Sequence, residues 1–420
     1  MSRDKLYFLM LSFGHFLDHF LTLIFATVAA LTLYRDWGVS YAELLIYATP
    51  GFFAFGLFSL PAGWLADKWS RDGMIGVFFV GIGLASIGTS FSETPLQMGI
   101  GLFAIGMFAA IYHPVGLAIV TTRWRDTGMR IATVGVWGNL GVASAALTTG
   151  FFIDNGGWKL AFVVPGVISI GLGLVYVAMR WESITQTSTN TEPSVPVQTS
   201  QEAYSYKALL IRISIIVFMT TAVSSIIFQA TTFALPKIFD ERMQNLAINI
   251  TNTMANVLGT GDGNVATIVG LLAFITFAVA SMAQLVVGKS LDKYGPRRIF
   301  LVVAAIQLTF FSIISGLTDG LALIVSFGFM IGVFGQVPIN DYMIGKTASG
   351  KYRARIYGIR YVVSFSVLAA SLPIISIVYE NWGFDTLFKI LAAAAALIIL
   401  IVYMLPKQLP EPAAVQAPAE

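Results

Sequence analysis

Along this chain, apolar residues run for roughly 18 to 28 positions at a time before clusters of Gly, Pro, Ser, Asp, Lys or Arg interrupt them. An α-helix rises about 1.5 Å per residue, so about 20 apolar positions cross the hydrocarbon layer of a bilayer. The runs fall at 6–34, 43–66, 74–91, 95–121, 130–153, 158–180, 208–236, 266–287, 298–317, 320–345, 356–379 and 384–405. This pattern predicts an all-α integral membrane protein with twelve transmembrane helices. The first run is too long for a secretory signal and is interrupted by His15, Asp18 and His19, so it is read as a span that stays attached.

Two polar segments break the rhythm. Residues 181–207, rich in Ser, Thr, Gln and Pro, lack the apolar content to fold alone and read as a cytoplasmic linker between an amino-terminal half, 1–180, and a carboxy-terminal half, 208–405. Residues 239–265 lie on the outer side, with an amphipathic stretch over 246–258 that predicts a short surface helix and a turn at Gly261-Asp262-Gly263-Asn264. The last residues, 406–420, read as a disordered cytoplasmic tail.

Composition strengthens this picture and removes alternatives. The chain is 56% hydrophobic and only 11% charged, with a mean hydropathy of +0.78, where a soluble domain carries about a quarter charged residues. No basic patch interleaved with aromatics suggests nucleic-acid binding. With no cysteine, thiolate metal sites, disulfides and cysteine nucleophiles are excluded. Of the 25 Lys and Arg, only Arg35, Lys159, Lys237, Arg242 and Lys389 fall outside if the amino terminus is inside, so both termini are expected in the cytoplasm of a bacterial-type inner membrane.

The most informative feature is an internal repeat. The segment GWLADKWSRD from Gly63 recurs as GKSLDKYGPRR from Gly288, an offset of 225 residues that also relates Asp67 to Asp292 and Arg130-Ile131 to Arg355-Ile356. Pro114 and Pro338 stand 224 apart, and Asn155-Gly156-Gly157-Trp158 and Asn381-Trp382-Gly383-Phe384 open the sixth and twelfth spans alike. A duplication of this kind is the layout of two parallel six-helix halves related by an axis along the membrane normal.

Gly63-x-Leu65-Ala66-Asp67-Lys68 and Gly288-x-x-Leu291-Asp292-Lys293-x-Gly295-x-Arg297-Arg298 resemble, in both halves, the signature loop of the major facilitator superfamily. The first copy departs from the family pattern at Ser70, where Gly is usual, and at Asp72, where a basic residue is usual. His113-Pro114-x-Gly116-Leu117-Ala118 and Gly138-Asn139-x-Gly141 resemble the fosmidomycin-resistance-like branch of drug exporters. Two features of the best-known proton antiporters are missing: Leu102 stands where an arginine is common, and the fifth span lacks the Gly-Pro pair. The resemblance implies alternating access by a monomer, a central cavity lined by spans 1, 4, 7 and 10, and a cytoplasmic gate. The gate would comprise Gly63, Asp67, Lys68, Arg71 and Arg130 from one half and Gly288, Asp292, Lys293, Arg297, Arg298 and Arg355 from the other.

Ionisable residues inside spans are costly and mark functional positions. His15, Asp18 and His19, spaced i, i+3 and i+4, are expected on one helical face near the midplane, with His113 on the fourth span. Histidine titrates near pH 6.5 and a desolvated carboxylic acid holds its proton more tightly, so the group suits a proton relay. Bland helix-to-helix hydrogen bonding is the alternative. Two histidines and a carboxylate also form a common metal-ligand set, but this needs a further ligand from another helix, for which His113 is only a nominal supplier. No metal or cofactor is assigned on sequence.

Gln336, Asn340 and Asp341 form a second polar cluster on the tenth span. Asp341 is either an interface charge or a cavity residue, with Arg360 as a candidate partner. Asn139 and Gln229 offer neutral hydrogen-bonding groups to a substrate or to neighbouring helices. The glycines at 135, 138 and 141 are expected to be close-packing contacts, and no nucleotide-binding GxxxxGK pattern occurs.

The expectation is therefore a non-enzymatic secondary transporter moving a small solute, with a proton as coupling ion and efflux of a small organic compound as the specific activity. Uptake of an organic anion or a metal complex is the alternative within transport, and a non-transporting membrane sensor or scaffold is the alternative of another class.

Overall fold

The computed structural model describes residues 2–124, 127–185, 203–258, 264–347 and 350–406, with side chains except at 127–128, 203–210, 257–258, 345, 347 and 350–361. All described regular structure is helical. The amino-terminal half contains α1 (Arg3–Asp36), α2 (Tyr41–Lys68), α3 (Arg71–Thr89), α4 (Pro95–Arg123), α5 (Thr127–Gly156) and α6 (Trp158–Thr185). The carboxy-terminal half contains α7 (Ala203–Arg242), the amphipathic α8 (Gln244–Leu258), α9 (Val265–Tyr294), α10 (Pro296–Ile313) and α11 (Asp319–Thr347). A last helical stretch, Gly350–Tyr403, breaks at Gly383 (φ 70°) into α12 (350–382) and α13 (384–403).

With α8 set aside, twelve helices cross the bundle, as the apolar runs predict. Helix α6 continues to Thr185 and α7 starts at Ala203, within the segment that the composition marks as a linker. Residues 186–202, the turn at 261–263 and the tail beyond 406 lie outside the described residues.

Local chemistry sets the helix ends. Ser40, Ser70 and Thr94 accept hydrogen bonds from the backbone N–H groups of Glu43, Gly73 and Gln97, filling donors that a helix start leaves open. The repeat reappears as geometry at the opposite ends. Gly157 (φ 88°) and Gly383 (φ 70°) hold the left-handed conformation that turns the chain from α5 into α6 and from α12 into α13. The preceding Asn155 and Asn381 each donate from Nδ2 to the carbonyl four residues back, at 2.8 Å in both halves.

Within the amino-terminal half α1 packs on α5, α2 on α4 and α3 on α6; in the other half α7 packs on α12, α9 on α11 and α10 on α11 and α13. The halves meet along α5 with α9 and α2 with α12. Without water to drive helices together in a bilayer, close backbone approach does so. Gly150 and Gly270 provide it, since a Cβ on either would sit 2.3 or 2.4 Å from a carbonyl oxygen of the facing helix.

Both described chain ends lie on one face, where Arg123 pairs with Asp4 and Arg212 reaches the carbonyl of Met404. On the opposite face the halves are tied together. Arg35 lies 3.8 Å from Asp240, Ser376 Oγ donates to the Ala42 carbonyl at 2.7 Å, Tyr41 meets Tyr379 edge-on, and Asp154 accepts from the N–H and hydroxyl of Thr267. The bundle is thus sealed on the face away from its termini.

A cavity between the halves and its histidine cluster

A cavity of about 310 Å³ separates the halves, lined by α1, α2, α4 and α5 on one side and α7, α9, α11 and α12 on the other. It narrows toward the sealed face, where Phe52 and Phe25 crowd Phe233 at ring distances of 5.9 and 6.4 Å. Toward the terminal face it opens past Ile131 and Val337, which are 40% and 37% exposed. Access is therefore from the side bearing the termini.

At the inner end three imidazoles converge. His15 and His19 share one face of α1, one turn apart, with Nε2 atoms 3.1 Å from each other. His113 arrives because α4 is broken. Pro114 has no N–H for the Ala110 carbonyl, so the helix divides after Ala109 and restarts at Tyr112. That break turns the His113 ring edge-on to both partners, at 5.0 Å from His15 and 5.4 Å from His19.

The cluster is fixed from behind. His15 Nδ1 lies 2.8 Å from the Val134 carbonyl, and the ring stacks on Tyr112, whose hydroxyl donates to the Leu11 carbonyl at 2.6 Å. Gly138 makes the room, since a Cβ there would lie 2.6 Å from His15 Cε1. Gly141 lets α5 approach the Phe16 carbonyl, whereas Gly135 has open space around its Cα and lines the cavity. Of the three glycines, then, Gly135 is not the close-packing contact its spacing suggests.

Asp18 also departs from expectation. It does not line the cavity with the two histidines; it is fully buried, with Oδ2 3.4 Å from His113 Nε2. The contact becomes an ion pair when the imidazole is protonated, and neither Asp18 oxygen has a hydrogen-bond partner. The spacing explains this: at about 100° per residue, Asp18 and His19 point about 100° apart around the helix.

The other polar candidates mostly face the same space. Asn139, Gln229, Gln336, Asn340 and Asp341 all line the cavity. Nδ2 of Asn139 and Nε2 of Gln229 have no hydrogen-bond partner. Gln336 Oε1 accepts from Gln307 at 2.6 Å and Asn340 Oδ1 accepts from Thr220 at 3.0 Å. Sequence reading missed Thr221, Ser224, Ser225, Gln284 and Ser364, which line the wall as well. Isolated hydroxyls and amides in apolar runs carry no periodic signal. The side chain of Arg360 lies outside those described.

At the terminal face Asp67 pairs with Arg71 at 3.0 Å, Lys68 lies over the Trp64 ring, and a Cβ on Gly63 would touch Pro114 at 3.4 Å. Arg130 stacks on Phe8 and Trp124. In the other half Asp292 accepts from the Tyr342 hydroxyl, Lys293 lies over Tyr294, and Arg297 reaches the Tyr403 carbonyl, while Arg298 is exposed and Gly288 has open space around it. The side chain of Arg355 is outside the described residues.

The unusual Asp72 has a structural explanation. It is buried and accepts from Tyr7 (2.6 Å), Tyr176 (2.7 Å), Ser183 (2.6 Å) and the Arg180 guanidinium (2.6 Å), joining the ends of α1, α3 and α6.

Two six-helix halves facing each other across an axial cavity, with one repeat in each, agree with the comparison to known families. The sequence matches the Major Facilitator Superfamily over residues 11–261 and 242–420. The chain belongs to that superfamily. Its helices are long and apolar enough to cross a membrane many times. A D-xylose–proton symporter of known structure superposes with a TM-score of 0.71 at 12% identity, over 98% of this chain and 99% of the symporter. A probable hexose phosphate transport protein of Chlamydia pneumoniae is 31% identical over 159 residues, 36% of this chain and 34% of that protein. A puromycin resistance protein of Streptomyces alboniger is 27% identical over 34% of this chain and 29% of its own length. The matched segment thus spans about a third of each of these curated relatives.

Proposed function

We propose that this superfamily member is a proton-coupled exporter of small organic compounds, placed in a bacterial-type inner membrane with its terminal face toward the cytoplasm. The observation that carries the reading is the fully buried Asp18 beside His113 at the inner end of the cavity. Ionisable groups held out of water inside a membrane span, as this carboxylate and its neighbouring imidazoles are, are the groups that carry protons across a bundle. The cavity wall favours an organic solute without strong negative charge. It is aromatic at Phe52, Phe55, Phe228 and Phe365, otherwise mostly aliphatic or neutral polar, with Asp341 as a carboxylate in the wall, and among the described residues no Lys or Arg lines it. This fits the puromycin resistance relative better than the hexose phosphate relative.

Uptake of an organic anion is the second reading, favoured by the hexose phosphate relative and by the three imidazoles, which attract anions when protonated. One experiment separates the two. In proteoliposomes with an acidic lumen, an exporter exchanging protons accumulates a fluorescent organic cation inside, and a protonophore abolishes the accumulation. Flux that runs only downhill and ignores the protonophore rejects coupling, and accumulation of an organic acid on the alkaline side establishes symport instead.

A further inference from the structure

The whole chain contains three histidines and no cysteine, and all three histidines meet at one point. One ring nitrogen from each lies within 4.8 Å of those of the other two. The carbonyl of Val134 can only accept, so His15 carries its proton on Nδ1 and presents the Nε2 lone pair. His113 Nε2 lies 3.4 Å from Asp18 Oδ2, so the buried carboxylate stands directly against the cluster. An acceptor behind the ring, as the Val134 carbonyl provides for His15, is how metal-binding imidazoles are oriented and made more basic. Nitrogen ligands at about 2.0–2.1 Å around a tetrahedral ion stand roughly 3.3 Å apart. The His15–His19 separation of 3.1 Å is close to this value.

We propose that His15, His19 and His113 form a binding site for a late first-row divalent cation such as Zn²⁺, Ni²⁺ or Co²⁺, with the remaining coordination positions turned toward the cavity. The inference rests on reading this pocket as the transport site, and it adds a bound cation, alone or carried by a small organic chelate, to what that site holds. Three neutral nitrogen donors select late transition metals over Mg²⁺ and Ca²⁺, which require oxygen ligands. The buried Asp18 carboxylate offsets one of the two cationic charges. The cation reaches the site either as the hydrated ion or within a small oxygen-donor chelate, for which a cavity of about 310 Å³ has room. Protons and metal compete for the same lone pairs, so the metal is held most weakly at low pH.

The test uses the full chain, purified in detergent with a tag free of histidine, and Co²⁺ as the probe. One equivalent of Co²⁺ is expected to bind, with visible ligand-field absorption of a nitrogen-ligated, low-coordinate ion. His15→Ala, His19→Ala and His113→Ala should each weaken binding by at least about 100-fold, and Asp18→Asn by about 10- to 100-fold with the absorption envelope unchanged, since Asp18 positions a ligand and is not one. Any alanine variant that fails to elute as a single species is replaced by its glutamine counterpart. Co²⁺ citrate forms the second arm. A ternary complex retaining citrate identifies a chelate as the ligand, and transfer of Co²⁺ away from citrate identifies the bare ion. Substoichiometric binding by the parent protein, or parent-like affinity in the His113 variants, overturns the proposal. Because binding is read at equilibrium without a gradient, failure of proton-driven transport with Co²⁺ binding intact would count against the coupling alone.

Discussion

Oδ2 of Asp18, on α1, lies 3.4 Å from Nε2 of His113, on α4, and the Asp18 side chain has no exposed surface. The contact joins two of the four helices that the family resemblance places around the translocation path. It depends on Pro114, which denies the Ala110 carbonyl its partner and breaks α4 between Ala109 and Tyr112, just before His113.

Replacing Asp18 with Asn should abolish gradient-driven transport while leaving the fold intact. The amide keeps the shape of the carboxylate but cannot release a proton, and the Asp18 oxygens have no hydrogen bond to lose. Substrate counterflow, which needs no net proton movement, should persist in proteoliposomes. Undiminished proton-driven accumulation by this variant would remove Asp18 from the coupling pathway.

Two glycine substitutions on α5 should differ in sign. At Gly138 a methyl group would lie 2.6 Å from His15, whose ring is already stacked on Tyr112, so Gly138→Ala is expected to cost about 1–3 kcal/mol by overpacking. Gly135 has nothing within 4 Å, and Gly135→Ala should be neutral or stabilising by up to about 1 kcal/mol through helix propensity. Thermal unfolding in detergent measures both. Equal midpoints would argue against the tight seating of His15.

Asp72→Asn should destabilise the amino-terminal half by about 3 kcal/mol, since it leaves the Arg180 guanidinium without its carboxylate in a partly buried site. Asp72→Lys, which places the family's usual basic charge at this position, should be worse because it meets Arg180 directly. Limited proteolysis and unfolding midpoints report the loss. An Asp72→Lys protein as stable as the parent would show that the network is dispensable.

The signature-loop acids should act when the cavity closes on its terminal side. With the structure open there, Asp67 is engaged by Arg71 and Asp292 by Tyr342. In the alternate state each is expected to approach the helix start of the opposite half, where a carboxylate gains up to about 1 kcal/mol from the helix dipole. Asp67→Asn and Asp292→Asn should therefore each raise thiol labelling of a cysteine placed at Ser364, against a background free of native cysteine. Unchanged labelling in both variants would leave the gate without support.

Much of this architecture was legible in the order of residues. The twelve spans follow because a bilayer leaves backbone groups no partner but their own helix, so length and apolarity decide. The 225-residue repeat exposed the two halves, and the paired turns at Gly157 and Gly383 carry it into backbone geometry. The cost of ionisable groups in hydrocarbon singled out His15, Asp18, His19 and His113. Helical spacing could not say that Asp18 turns away from the cavity while the histidines face it, nor that Pro114 swings His113 onto the first helix. It also could not show that Gly138 is a socket for His15, or that Asp72 gathers four donors from helices more than 60 residues apart in the chain. Those facts depend on where separate helices come to rest against one another, which is settled by packing between segments distant in sequence. The order of residues determined which groups are present and at what depth; the tertiary structure decided which of them meet.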